Sequence, residues 1–280
     1  MPLQIPKLPL DKAVEAAIDF LTTHISFITK AVSKGAESGI EAIIAFLLFF
    51  PPWLLILIIA ALAFFLTRRR GIGLFSLAGL LLIWNLGLWT ATITTIALVL
   101  LSTLLTIMLG IPLGILAALN ERFHKVIMPV LDFMQTMPAF VYLIPAIPFF
   151  GLGPVSAAFA TVIFAMPPSI RLTALGIRQV PVELIEAADA FGSTKMQKLF
   201  KIQLPLATQT MMAGVNQTIM LSLSMVVIAA MIGAGGLGGE VWKAIQRLKT
   251  GMGFEAGLGV VIIAIIFDRI TQQAAGRKKL

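Results

Sequence analysis

The chain has 280 residues, of which 59% are hydrophobic and 12% charged, with a mean hydropathy of +0.99; about a quarter of a soluble domain is charged, so a water-soluble globular protein is excluded. Cysteine is absent, which rules out disulfides and thiolate metal sites, and with only His24 and His124 no metal centre is expected. The net charge of +8 gathers at the ends of apolar stretches, where it orients a chain in a bilayer, so nucleic acid is not the expected partner.

Residues 1–42 read as an N-terminal segment. Val14, Ile18, Leu21, Ile25, Ile28 and Val32 recur at steps of four and three, with Asp11, Glu15, Asp19 and Lys30 elsewhere around the helix. The pattern predicts an amphipathic helix at the outer interface, resting on lipid or on the protein's own spans. Met1 to Lys12 lack the basic start and unbroken apolar run of a signal peptide.

Seven stretches then have the length and apolarity of membrane spans: residues 43–66, 74–89, 93–119, 126–150, 155–177, 206–232 and 256–272. The expected fold class is therefore an all-α polytopic membrane protein. The first two stretches, within 43–89, form an accessory pair, and the third bends at Gly110-Ile111-Pro112. Pro138, Pro145 and Pro148 break the fourth, which is tolerated where protein or a water-filled cavity covers the freed backbone. With seven crossings, Arg68-Arg69-Arg70, the segment Arg122 to Lys125, the loop 181–205 and the tail 273–280 with Arg277-Lys278-Lys279 share one side. Their positive charge makes that side cytoplasmic and puts the N-terminus outside. The loop 233–253 also falls outside, although Lys243, Arg247 and Lys249 are unusual there.

Polar groups at membrane depth are costly, and each is a candidate for a pathway or for a structural bond. Tyr142, the only tyrosine, lies beside the broken fourth span with Phe140. An aromatic face there suits a quaternary ammonium through cation–π attraction, and packing is the plainer alternative. Asp132 and Arg171 are placed to pair with each other, and Asp268 and Arg269 to anchor the last span. Asn216 and Gln217 lie about ten residues into the sixth stretch, near the midplane. Lining the translocation route and bonding between helices both remain open for them. Gly235, Gly236 and Gly238 permit sharp turns at a candidate outer gate, with Trp242 as an interface anchor. That glycine run lacks the Gly-Lys-Ser/Thr and preceding strand of a phosphate loop.

The loop 181–205 has a construction of its own. Pro181 suits a first helical position, with Glu183 and Glu186 near the positive helix end and Leu184, Ile185, Ala187 and Ala188 as the apolar side. Gly192 is placed to end that helix, and Thr194 with Gln197 reads as a capping box opening a second one. The second helix is expected to stop near Leu204, before Pro205, with Lys195, Lys198 and Lys201 facing water or headgroups.

Glu186-Ala187-Ala188, Gly192, then Ile202 and Leu204-Pro205 together match the signature of permease subunits of binding-protein-dependent ABC importers. Met134-Gln135-Thr136-Met137-Pro138-Ala139-Phe140-Val141-Tyr142 and Gly214-Val215-Asn216-Gln217-Thr218 resemble the branch that takes up glycine betaine and proline betaine. The resemblance covers residues 90–272, the core transmembrane domain. It implies a type I importer permease fold, a coupling loop at 181–205 seated in a separate ABC ATPase, a periplasmic or tethered binding protein, and a second copy of the chain as partner. It also implies that this chain binds no cofactor and that ATP with magnesium is used by the ATPase. Consistent with this, no nucleotide-binding motif or catalytic constellation is visible. A choline or carnitine permease of the same kind, a gradient-driven carrier or channel for such solutes, and a passive membrane scaffold are the alternatives; a proton- or sodium-coupled carrier calls for a midplane carboxylate, which the span assignment lacks.

Overall fold

The computed structural model describes residues 10–276, and the basic residues Arg277, Lys278 and Lys279 lie outside them. The described residues are helical nearly throughout, with no strand among them. The elements are α1 (Leu10–His24), α2 (Ser26–Phe49), α3 (Pro52–Thr67), α4 (Arg70–Asn85), α5 (Trp89–Leu119), α6 (Glu121–Thr136) and α7 (Leu143–Phe150). These are followed by α8 (Pro154–Arg178), α9 (Val182–Ala190), α10 (Lys195–Lys198), α11 (Leu204–Ala229), α12 (Gly236–Gln246) and α13 (Thr250–Gly276).

Four helices are long and apolar enough to cross a membrane: Trp89–Leu119, Pro154–Arg178, the continuous run Lys195–Ile232, and Thr250–Gln273. They correspond to the third, fifth, sixth and seventh expected stretches. Of the other three, the first two differ from the spans read from sequence, and the fourth carries a break as expected. The first does not run straight through 43–66, because α2 and α3 meet at 100° across Phe50–Pro51. Pro51 has no N–H and restricts the residue before it, so α2 ends at Phe49 and α3 starts afresh on the second proline. The second stretch is the 16-residue α4, shorter than an ordinary span. The fourth is broken by 112° between α6 and the Ala139–Phe150 segment. Pro138 sits at that break and holds Met137 before it in an extended conformation, whereas Pro145 and Pro148, expected to break the span as well, lie within the continuous α7.

At the centre α5, α8 and α11 pack side by side. Small residues allow this: a Cβ on Gly110 would lie 2.5 Å from Ser169 Oγ, and one on Gly114 2.6 Å from Thr173 Cβ. Without a hydrophobic drive between helices in lipid, such close backbone approach is what holds spans together. Some buried threonine hydroxyls turn to their own helices, as Thr106 Oγ1 to Ser102 O at 2.7 Å and Thr161 Oγ1 to Ala157 O at 2.7 Å. Thr218 instead crosses from α11 to Ala165 O on α8, at 3.2 Å. Pro112 in α5 and Pro167-Pro168 in α8 leave both helices continuous.

Around this trio α13 packs on α11 and α12, and the α3–α4 pair leans on α13. The amphipathic segment is helical as expected, in α1 and α2. Val14, Leu21, Ile28 and Val32 of its stripe remain exposed, so most of it is left for lipid or a partner.

Candidate functional site

The loop after α8 folds as two short helices with a defined turn. Pro181 is the N-cap of α9 and not its first helical residue, with Glu183 in the first turn. At the other end Ser193 N donates to Ala188 O at 2.9 Å and Gly192 N to Asp189 O at 2.9 Å. These are the two bonds of a Schellman motif, with Gly192 at φ +73° as its left-handed residue. Thr194 then opens α10: Gln197 N donates to Thr194 Oγ1 at 3.3 Å and Thr194 N to Gln197 Oε1 at 2.8 Å. The expected capping box is complete.

Two expectations for this loop are corrected. The second helix does not stop at Leu204. Residues Leu199–Gln203 form a π turn, Leu204 N donates to Leu199 O, and the helix continues into α11. The wider turn shifts the register where Pro205 brings no donor, so the proline is passed without a break. The apolar side of α9 also differs from the sequence reading: Ala188 is buried and Ile185 half-buried, while Leu184 and Ala187 point outward.

Lys198, expected to face water or headgroups, bonds Asp189 Oδ1 at 2.5 Å and ties α10 to α9. Lys195 and Lys201 are exposed. Beneath the loop Ile177, Leu199 and Ala207 form a small buried cluster, with Leu204 packed on it. Ile202 is half-buried, whereas Glu186 and Pro205 are exposed.

The outward surface of this platform carries large apolar residues among its charges. Phe191 is 90% exposed, with Val182, Leu184, Met196 and Phe200 also open. Phe191, Val182 and Met196 do not stand out in the sequence pattern of the loop. Their signal was present as large apolar residues at the ends of otherwise polar helices, where an amphipathic period too short to measure hides them.

Two ion pairs brace the approach to the platform. Arg171 Nη2 meets Asp132 Oδ1 at 2.5 Å, as the sequence suggested, and Arg178 Nη1 meets Glu121 Oε2 at 2.9 Å, which it did not. Both join α8 to α6, so the helix entering the loop is held at two levels.

The candidate pathway residues part company. Tyr142 is buried; its hydroxyl donates to Met134 O across the break, and its ring meets Phe164 edge-on at 5.7 Å. Phe140 is the exposed aromatic of that segment. Asn216 Nδ2 donates to Asp268 Oδ1 at 3.0 Å, and Thr271 Oγ1 donates to Asn216 Oδ1, which clasps α11 to α13. Asp268 therefore stands level with Asn216 and not only at the inner end of its helix, which corrects the expectation that no carboxylate shares the depth of Asn216. Its carboxylate also accepts from Gln272 Nε2 at 2.7 Å. Gln217, one residue on, is exposed on the open face of α11.

At the candidate outer gate, Gly235 and Gly236 have φ of +74° and +68° and lead into α12, a helix where a loop was expected. Leu237 N donates to Thr95 Oγ1 at 2.8 Å, which satisfies one of the free donors at the start of α12. A Cβ on Gly238 would lie 2.7 Å from Val226 O, so α12 is pressed onto α11.

Among known proteins, residues 110–277 match the family described as the binding-protein-dependent transport system inner membrane component. The chain is 52% identical over 276 residues to the glycine betaine transport system permease protein OpuAB of Bacillus subtilis, covering 99% of this chain and 98% of that protein. It is 52% identical over 273 residues to the glycine betaine/carnitine transport permease protein GbuB of Listeria monocytogenes, covering 96% of each. A chain of the MetNI methionine ABC transporter shares the fold at a TM-score of 0.61 and 21% identity, over 65% of this chain and 92% of that one.

Proposed function

The chain belongs to the family of binding-protein-dependent transport system inner membrane components, and from that premise we propose that it is the membrane-spanning permease of an ATP-driven importer of glycine betaine and chemically similar quaternary amines such as proline betaine. It is a multi-pass membrane protein of the type I ABC importer permease fold. The observation that carries the mechanism is the capped platform from Val182 to Gln203, with its uncovered apolar surface around Phe191. An exposed phenylalanine on a loop fixed by a Schellman motif, a capping box and an ion pair is a preorganised anchor for a protein groove.

The partner at that groove is the ABC ATPase, which uses ATP with magnesium while this chain binds no cofactor. The platform is rigid and fused through the π turn to α11, so a displacement of α9 moves a helix that runs on to Ile232. Closure of the ATPase thereby rocks α11 and α8 together and alternates access to the cavity. Two copies of the chain present two platforms to two ATPase subunits, and a periplasmic or tethered binding protein delivers the solute at the opposite face. The N-terminus lies outside and the tail in the cytoplasm. Gln217, on the open face of α11, lines the route; an amide there can bond water or a solute carboxylate, and in lipid it would go unsatisfied. Phe140 and Tyr142 border the same route at the break near Pro138.

The test is ATP hydrolysis by this permease reconstituted with its ATPase and binding protein. Stimulation by glycine betaine is expected, and hydrolysis indifferent to the solute and to the permease would overturn the reading.

A further inference from the structure

The end of α12 has a turn that matches the one at Gly192, with a different residue in the strained position. Lys249 N donates to Ala244 O at 2.9 Å and Leu248 N to Ile245 O at 3.1 Å, again a Schellman motif. Its left-handed residue is Leu248, at φ +53°. A bulky side chain is disfavoured there, glycine would close the same turn without strain, and such strain concentrates where a segment binds something. Leu248 is also 90% exposed, so it gains no packing in return.

Behind it lies a groove of about 480 Å³ between α12 and α13, lined by Ala244, Ile245, Gly253 and Phe254, with Ile245 and Phe254 themselves largely open. Arg247 and Lys249 flank the leucine and are exposed; Glu255, also exposed, lies further into α13. Lys243 is occupied by Glu240 at 2.8 Å.

The position of this corner follows from helix lengths. The run Lys195–Ile232 has 38 residues, about 57 Å at the α-helical rise and well beyond the ~30 Å of a hydrocarbon core. Its ends are on opposite sides of the membrane. The 11-residue α12 is too short to cross back, so the corner stays on the side away from the coupling platform. Basic residues there run against the charge bias that orients the chain, which points to an acidic partner surface and not to topology as their use.

We propose that Arg247, Leu248 and Lys249, with the groove behind them, form a docking knob for the substrate-loaded binding protein: Leu248 enters an apolar notch and the two cations meet acidic residues around it. The proposal rests on the importer reading above. It is tested with permease and ATPase in vesicles of one phospholipid composition, ATP enclosed, by measuring labelled glycine betaine uptake against added soluble glycine-betaine-binding protein of the source strain. Leu248→Gly, which suits the backbone, is expected to raise the half-saturating binding-protein concentration roughly tenfold, as loss of an interface anchor does, with the saturated rate unchanged. Arg247→Gln with Lys249→Gln is expected to raise it too and to weaken its dependence on salt. An unchanged half-saturating concentration, or a defect only in vesicle incorporation that assigns the corner to lipid, overturns the knob. Wild-type uptake that ignores the binding protein overturns instead the importer reading itself.

Discussion

Gly192 and Phe191 are neighbours with separate tasks. Gly192 gives the backbone a conformation that costs a β-branched residue at least 1–2 kcal/mol by steric crowding, and nothing lies within 4 Å of where its Cβ would stand. A side chain at 192 therefore disturbs the turn and not a neighbour. Phe191 contributes nothing to this chain's own core. Phe191→Ala is expected to leave the melting temperature of the isolated permease unchanged within about 1 °C, since an exposed residue away from special features shifts stability by less than ~0.5 kcal/mol, and to reduce co-purification of the ATPase several-fold. Normal co-purification would remove Phe191 from the docking surface. Gly192 was legible in the sequence because a glycine between two polar helical segments has one conventional use. Asn216 was visible as a polar residue in a span, but its partners Asp268 and Thr271 lie 52 and 55 residues away, beyond the reach of local pattern.

Among the elements, those foreseen well were the ones whose ends are chemical. The capping box at Thr194, the Schellman end at Gly192 and the long helices α5, α8 and α13 follow from cap residues and from apolar length. The breaks were less legible. Pro51 and Pro138 sit at sharp bends, whereas Pro112, Pro167, Pro168 and Pro205 are absorbed into continuous helices. A proline removes one donor and crowds one carbonyl; whether the chain turns depends on packing around it, which the sequence does not display. Helix α12 is hidden in the sequence because its start, Gly236 to Gly239, is nearly all glycine. Its formation depends on a contact 142 residues distant, from Leu237 N to Thr95 Oγ1. Thr95→Val keeps the shape and orphans that buried donor, so a loss of about 1–3 kcal/mol is expected, seen as a lower unfolding temperature in detergent. Thr95→Ser, which retains the acceptor, should recover most of it; equal effects of the two substitutions would show that the bond does not hold α12.

Across the whole molecule the arrangement is a rigid centre with two ends. The packed trio of α5, α8 and α11 joins a preorganised platform at one end to the α12 corner at the other, and the open face of α11 with Gln217 lies between them. Composition alone required the membrane, and the spacing of Glu186, Gly192 and Leu204-Pro205 carried the resemblance to the permease family. The close approach of Gly110 and Gly114 to α8 and the second brace of α6 on α8, Glu121 to Arg178, emerge only from the assembled helices, whereas the Asp132–Arg171 pair was legible in the sequence. The most direct test of coupling is uptake of labelled glycine betaine into vesicles holding the permease, its ATPase and its binding protein, for the wild type and for Gly192→Val. Uptake that needs ATP and is lost in the variant, although the variant inserts normally, is the predicted result. Uptake that proceeds without ATP and is untouched by the substitution would contradict it and make the chain a carrier or channel.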